Sequence, residues 1–267
     1  MRQIAKAFNR KGKCMGFYAY EDFDRKKDIT AKEAAKHDIS IRYYCPNPSC
    51  DAHLHLCSVE GSLTIHFKAT KKEYRHIPGC PYGKSGAFSP ESFDEDNFKF
   101  GDMIDGLMKP TPRKAVTGGP AGHGSGITEI KPPHTLIQVY DMCRIHSPRD
   151  TYNGQAIGKM LLYDRSAYFW PKGIYGPLII EGLCSKRFYD SRKKEIYLKT
   201  PIKKSVYNLV LKFSDHQAFK LLKDRLFENQ NKIIIVGGVW KFYGIYGTFF
   251  TEIITTKQYK ILNVILP

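Results

Sequence analysis

The 267-residue sequence lacks any apolar run close to the roughly 20 residues that a membrane-spanning helix requires. Its basic N-terminus contains no apolar core of a secretory signal, so we expect a cytoplasmic protein. Acidic residues are also scarce. The sequence has 26 Asp and Glu against 42 Lys and Arg, which gives a formal net charge of +16. An enzyme for small neutral substrates does not need this excess, whereas each cation placed near a phosphate strengthens binding to a polyanion. The composition favours a nucleic-acid partner; the alternative is a basic surface without a ligand.

Disulfide pairs are not indicated, since the seven cysteines are an odd number and four of them lie between Cys45 and Cys80. In a chain without a secretory signal this crowding indicates metal binding in a reducing compartment. The most regular set of ligands is Cys45, Cys50, His76 and Cys80, in which a C-x4-C pair with two prolines precedes an H-x3-C pair. Four such ligands complete a tetrahedron, which predicts one structural zinc ion.

The residues between the two ligand pairs predict the remainder of a small zinc ribbon. Leu54–Leu56 and Ser62–Phe67 have strand character and flank Gly61, so we expect a hairpin there. Cys57 and His66 are alternative ligands. A buried apolar position would explain Cys57, and a polar edge position would explain His66.

This segment resembles the N-terminal zinc-ribbon module of CoiA-like competence proteins. The likeness is carried by Cys45-Pro46, Cys50, His66-Phe67 and His76, and it covers only this part of the chain. The chain departs from the pattern in the x4 spacing of the first pair and in the additional Cys80. The resemblance implies a role in DNA processing. The nuclease domain of those proteins is not visible downstream, so no catalytic residue is carried over.

The remaining N-terminal half predicts two helices and a linker. Thr30 can cap a short helix, and Phe100, Ile104 and Leu107 form one apolar face of a helix within the acidic segment 89–105. Glycines and prolines dominate residues 109–133. A phosphate-binding loop is excluded there because Ser125 stands where that motif needs lysine. We therefore expect a zinc-ribbon domain with an acidic helical tail over 1–108, a linker over 109–133 and a second domain over 134–267.

The second domain begins with a helical pattern over residues 136–143 and continues with five strand patterns. The strands are expected at Pro177–Leu183, Glu195–Thr200, Val206–Phe213, Lys232–Trp240 and Phe249–Lys257. A helix capped by Ser214 or Asp215 should connect the third strand to the fourth. This order resembles OB domains of the replication-protein and anticodon-binding type. The predicted fold class is α+β, mostly β, with a zinc ribbon followed by a five-stranded OB-type barrel.

In OB barrels the ligand lies across strands 2 and 3, between the loops that join strands 1–2 and 4–5. Those loops are expected at Ser185–Lys194 and Lys241–Gly247, where cations and aromatic rings coincide. Cations suit phosphates and flat rings suit unstacked bases. The alternative is that the rings occupy core positions. The candidate binding residues are Lys186, Arg187, Phe188, Tyr189, Arg192, Lys193, Lys194, Lys241, Tyr243 and Tyr246.

Sequence evidence for catalysis is weak, because Asp94, Glu95 and Asp96 are contiguous and would point in different directions on a helix. The sequence favours a non-enzymatic protein that binds single-stranded nucleic acid, DNA rather than RNA, in replication, recombination or mobile-element defence. The alternatives are a protein–protein adaptor that docks through the acidic segment and a metal-dependent nuclease.

Overall fold

The chain forms two compact units, each with its own β-sheet and core. The computed structural model describes residues 18–37, 40–57, 65–69, 71–77, 80, 82–83, 88, 92–110, 130–201 and 207–265. The first unit comprises Met1–Ala87 with Arg144–Ser147, and the second comprises Phe88–Cys143 with Pro148–Pro267. None of the helices within the described ranges has the length and apolar character needed to cross a membrane.

The first unit is built on an antiparallel sheet. Its strands are β1 (Tyr18–Tyr20), β2 (Asp28–Thr30), β3 (Tyr43–Tyr44), β4 (His53–Cys57) and β5 (His66–Lys68), joined in the order β2-β1-β3-β4-β5. Helix α1 (Ala31–Ala34) follows β2. Thr30 caps this helix, because its hydroxyl accepts from Glu33 N and the Glu33 carboxylate accepts from Thr30 N. A 3-10 turn at Lys72–Tyr74 follows β5.

Alternation along β4 separates the two faces of this sheet. Leu54 and Leu56 are buried in the core, whereas His53 and His55 occupy the opposite face. The predicted pairing of β4 with β5 is confirmed, with Leu56 opposite Phe67. The predicted turn at Gly61 lies outside the described residues.

The second unit contains the remaining three helices and nine strands of the described chain. In chain order they are α2 (Phe100–Met108), α3 (Leu136–Ile145, whose last two residues fall in the first unit), β6 (Thr151–Tyr152), β7 (Gln155–Ala156), β8 (Leu161–Leu162), β9 (Gly176–Asp190), β10 (Glu195–Lys199), β11 (Asn208–Phe213), α4 (His216–Phe227), β12 (Lys232–Phe242), β13 (Thr248–Ile253) and β14 (Tyr259–Ile265).

Five of these strands close into the predicted barrel. The order is β9-β10-β11-β13-β12, and β12 pairs back with β9. Only the β11–β13 pair in the ring is parallel, and α4 connects β11 to β12. This is the OB arrangement that the order of the elements predicts. Strand β8 extends the sheet beside β9, and β14 extends it beside β12.

The barrel core is filled by alternate residues of the strands and by one face of α4. Ile196 and Leu198 of β10 are fully buried, and the Trp240 indole donates to the Leu178 carbonyl at 3.1 Å. Asp215 caps α4 as predicted, because its carboxylate accepts from Gln217 N at 2.9 Å.

Helix α2 belongs to the barrel unit rather than to the ribbon domain in which the sequence analysis placed it. Its apolar side packs on β12, where a Cβ added to Gly237 would lie 3.0 Å from Leu107 Cδ1. Thr255 Oγ1 also donates to the Leu107 carbonyl. The sequence shows that the helix has an apolar face, but it does not show which element covers that face. Most of the predicted linker lies outside the described residues.

Candidate functional sites

The four predicted metal ligands converge at one end of the first unit's sheet. Cys45 directly follows β3 and Cys50 precedes β4, while His76 and Cys80 follow the 3-10 turn. Their ligand atoms all lie within 4.8 Å of one another. The three cysteines are buried and His76 is half-buried, so solvent has little access to the sulfur atoms.

The distances within this cluster are those of a tetrahedral metal site. Cys45 Sγ lies 3.7 Å from Cys80 Sγ, and His76 Nδ1 lies 3.6 Å from Cys50 Sγ and 3.5 Å from Cys80 Sγ. Metal bonds of about 2.3 Å to sulfur and about 2.1 Å to nitrogen would separate two sulfurs by about 3.8 Å and a sulfur from a nitrogen by about 3.6 Å. The cluster could therefore bind a metal ion with little rearrangement.

Protonation within the cluster is strongly uneven. Burial, together with the neighbouring thiols, raises the pKa of Cys45, whereas hydrogen bonds from Cys45 and Cys80 lower the pKa of Cys50. Burial opposes the charged form of His76, but the sulfurs of Cys50 and Cys80 outweigh this effect and raise the pKa of His76 to about 9. A bound cation would replace the protons that these groups carry, because metal ligands bind in their deprotonated forms.

Arg25 supports the loop that carries the first two ligands. Its Nε donates to the Cys45 carbonyl and its Nη2 to the Cys50 carbonyl, both at 2.9 Å. Its Nη1 donates to the Phe23 carbonyl at 2.8 Å. Arg25 adopts a positive φ of 57° to make this reach. The role of Arg25 could not be predicted from the sequence because no spacing rule connects it to the cysteines.

Two further residues shape the cluster. Asn47 directs its backbone N–H to Cys45 Sγ at 3.4 Å and its side-chain amide to Cys80 Sγ at 3.7 Å. Gly83 lies so close to His76 that an added Cβ would be 2.3 Å from His76 Cβ. The position of Asn47 between Cys45 and Cys50 is a signal that sequence analysis could have used.

The alternative ligands Cys57 and His66 do not join the cluster that the described residues form. They face each other across β4 and β5, in register as Cα partners.

The first loop predicted on the barrel is largely strand. β9 continues to Asp190, so only residues 191–194 form the turn to β10. Between Cys184 and Tyr189 the register with β10 shifts, because Leu198 is opposite Cys184 but Ile196 is opposite Tyr189. Phe188 lies in this bulge and packs into the barrel core with 4% of its surface exposed. Its assignment to the binding face is therefore corrected: this ring is not free to stack on a base.

The other predicted residues around the first turn are mostly on the surface. Lys186, Arg187, Tyr189, Arg192 and Lys193 are exposed. Lys194 is half-buried, and its Nζ donates to the Ser214 carbonyl.

The second predicted loop begins later than expected, because β12 extends to Phe242. Lys241 and Phe242 are exposed at the end of that strand. Tyr246 stands at the tip of the loop with 98% of its surface exposed, next to the exposed Ile245. Tyr243 instead lies back over the barrel, half-buried.

Tyr243 belongs to a polar network on the outer face of β10 and β11. Its hydroxyl donates to Glu195 at 3.0 Å, and Tyr197 donates to the same carboxylate at 2.9 Å. Burial and the Glu195 carboxylate raise the pKa of both tyrosines. The Lys212 ammonium lies 4.0 Å from Glu195 and 4.2 Å from the centre of the Phe250 ring. The network fixes several rings and one cation on this face, and sequence analysis missed Glu195, Tyr197 and Lys212.

Basic groups outnumber acidic ones around this face among the described residues. The carboxylates are Asp190, Glu195 and Glu252, and the cations are Lys186, Arg187, Arg192, Lys193, Lys194, Lys199, Lys212 and Lys241. Glu195 is buried beneath its hydrogen-bond donors. Within the described part of the barrel, the exposed charge at this face is predominantly positive.

Part of the acidic segment is used within the second unit. Glu95 accepts from Asn153 N at 3.0 Å, and Asp94 accepts from the Asn97 amide at 2.6 Å. Asp102 and Asp105 are exposed on α2. The segment is thus partly a structural element of this unit.

Comparison with protein-family models, with curated proteins and with solved structures found no match to this chain. The resemblance to CoiA-like zinc ribbons stays a prediction.

Proposed function

We propose that this protein binds single-stranded nucleic acid, DNA in preference to RNA, across the outer face of β10 and β11. The observation that carries the proposal is the position of that face in a closed barrel, between an exposed basic turn and an exposed aromatic loop. Arg192 and Lys193 occupy the turn, and Tyr246 occupies the loop. OB barrels commonly hold oligonucleotides at the equivalent face.

The proposed mechanism combines phosphate neutralisation with base stacking. Exposed Lys and Arg side chains at the turn displace counterions from the backbone. Tyr246 offers a free ring to a base, and stacking tolerates any base because each has a π-face. The hydrogen bonds from Tyr197 and Tyr243, with the nearby Lys212 ammonium, reduce the repulsion that Glu195 would exert on a phosphate.

We infer that the metal ion is zinc and that its role is structural. Three cysteines and one histidine would occupy all four positions of a tetrahedral ion and leave none for water or substrate, which is the pattern of closed zinc sites. The ion would cross-link β3, β4 and the segment after β5 as a zinc ribbon does. Thiol ligands of this kind persist in a reducing compartment, so we place the protein in the cytoplasm. A role in replication, recombination or mobile-element defence is part of the same proposal.

The binding proposal is tested by fluorescence anisotropy with a labelled single-stranded DNA. Tyr246→Ala should weaken binding by about 1–3 kcal/mol, the value of one stacked base, without changing the salt dependence. The double variant Arg192→Glu with Lys193→Glu should make the slope of log affinity against log salt shallower by about 1.4, for two lost phosphate contacts.

Matched controls remove the same groups elsewhere on the second unit. Tyr168→Ala deletes another exposed tyrosine, and Lys159→Glu with Lys172→Glu reverses two other exposed charges. Equal losses in variants and controls would show that the barrel face is not the binding site.

A further inference from the structure

Four rings lie side by side on the outer face of the first unit's sheet. We call Phe23, Tyr44, His53 and Tyr74 the outer aromatic row. The Phe23 and Tyr44 centroids are 5.8 Å apart, and those of Tyr44 and His53 are 5.6 Å apart, both edge to face. His53 stacks on Tyr74 with centroids 3.9 Å apart and planes 21° apart.

The strand pairing of the sheet produces this row. Tyr44 of β3 is the Cα partner of His53 of β4, so the two side chains share a face. Their neighbours Tyr43 and Leu54 are also partners, and both are buried in the core on the opposite face. Tyr44 is half-buried against the edge of that core, and the other three rings of the row lie outside the core cluster.

The ends of the row are open to solvent. Phe23 is 57% exposed and Tyr74 is 40% exposed, so part of each ring is accessible to a ligand. Both are held by local structure, since Phe23 follows β1 and Tyr74 ends the 3-10 turn after β5. Flat rings of this kind, fixed at their positions before a ligand arrives, lose little entropy when a base stacks on them.

Basic groups flank the row. The Arg42 guanidinium lies 6.0 Å from the Tyr74 ring centre, and the exposed Lys71 directly precedes the 3-10 turn that ends at Tyr74. Asp51 and Glu73 are exposed carboxylates in the same region. Burial, with Arg42, lowers the pKa of His53, which favours the uncharged form of its ring. Rings with adjacent cations match a ligand that alternates bases and phosphates.

We infer that the outer aromatic row is a second surface for single-stranded nucleic acid, with bases stacked on Phe23 and Tyr74 and phosphates held by Arg42 and Lys71. The inference takes its ligand class from the proposed function, but it assigns different residues in the other unit. A protein partner would need a complementary acidic or apolar surface. A nucleic acid strand uses both features of the row, because its bases stack on the rings and its phosphates pair with the cations, so we favour the strand.

The test measures binding of labelled oligothymidylate to the full chain at low salt. Tyr74→Ala should weaken binding by about 5- to 150-fold, the range for losing one stacked base. Tyr74→Trp should retain the affinity, since it preserves a flat ring. Ile41→Ala is the matched control, because it removes an exposed apolar side chain next to Arg42 without touching a ring.

A second readout locates the bound strand directly. The oligonucleotide carries 5-bromodeoxyuridine and is cross-linked by ultraviolet light, and mass spectrometry identifies the modified peptides. We expect cross-links to peptides containing Phe23 or Tyr74, in addition to peptides of the barrel. This readout does not depend on whether a variant folds.

The outcomes separate this inference from the proposed function. If Tyr74→Ala behaves like Ile41→Ala and no cross-link reaches the row while Tyr246→Ala weakens binding, the row inference is overturned and the barrel proposal stands. If Tyr74→Ala weakens binding and Tyr246→Ala does not, the barrel proposal is overturned and the row inference stands. If the unmodified protein has no affinity for the strand, both are overturned.

Discussion

Arg25 donates to the carbonyls of Cys45 and Cys50 with one guanidinium, so a single side chain fixes the loop between two candidate metal ligands. Hydrogen bonds to charged groups are worth about 1.5–3 kcal/mol each when a partner is lost. We expect Arg25→Ala to lower the free energy of unfolding of the metal-bound protein by at least about 1.5 kcal/mol. The Arg25→Ala variant should also lose its metal to a chelator faster than the unmodified protein does.

The control for this variant is Lys26→Ala. Lys26 is the next residue, is exposed, and forms a surface salt bridge with Asp24, an interaction expected to contribute little to stability. The account of Arg25 fails if the two variants release metal at the same rate.

Phe188 is expected to act on stability rather than on binding. Because its ring fills the barrel core, Phe188→Ala should lower the free energy of unfolding by about 3–5 kcal/mol. Tyr246→Ala should leave it almost unchanged, since that ring touches solvent. Urea denaturation measures both. If the Phe188→Ala protein kept its stability and lost only its affinity for nucleic acid, Phe188 would belong to the binding face and not to the core.

Single residues also show the limits of prediction from sequence. The four candidate metal ligands could be predicted because they form two closely spaced pairs, C-x4-C and H-x3-C, and the fold was needed to exclude Cys57 and His66. Arg25 could not, because its role depends on the fold bringing the turn after β1 to the cysteine loop. Phe188 was placed in a loop because its neighbours are basic, and only the register shift of β9 turns the ring inward.

At the scale of elements, all five barrel strands and the helix between them were predictable from alternation and capping. Their ends were not: β9 reaches Asp190 and β12 reaches Phe242 because pairing with neighbouring strands extends them past the local pattern. The packing partner of α2 could not be predicted either, because an amphipathic pattern does not identify the element that covers the apolar face.

The close packing of α2 on β12 gives a test at this scale. Gly237→Ala would place a Cβ 3.0 Å from Leu107 Cδ1. Such overpacking should lower the free energy of unfolding by about 1–3 kcal/mol. The measurement is urea denaturation of the variant beside the unmodified protein.

Gly101→Ala is the matched control for that packing. Gly101 lies within α2, and an added Cβ would meet nothing within 4 Å. The change should raise stability by about 0.5–1 kcal/mol because alanine favours the helix. Two variants that are both neutral would contradict the packing described here.

At the scale of the whole molecule, the two units carry separate cores, so metal removal should affect them unequally. The first unit is small and its ligands lie inside its core, whereas the barrel has a large core of its own. We expect a chelator to abolish hydrogen-exchange protection in β1–β5 and to leave β9–β13 protected. Loss of protection in both units, or in neither, would contradict a structural role for the metal confined to the first unit.

The central claim is that this basic chain holds single-stranded nucleic acid through phosphate contacts and stacked bases. The most direct measurement is the affinity of the unmodified protein for a single-stranded DNA across a salt series. Engagement of three or more phosphates predicts a slope of log affinity against log salt of about −2 or steeper. Residual affinity at high salt should reflect stacking. Unmeasurable affinity at low salt, or affinity indifferent to salt, would contradict the account.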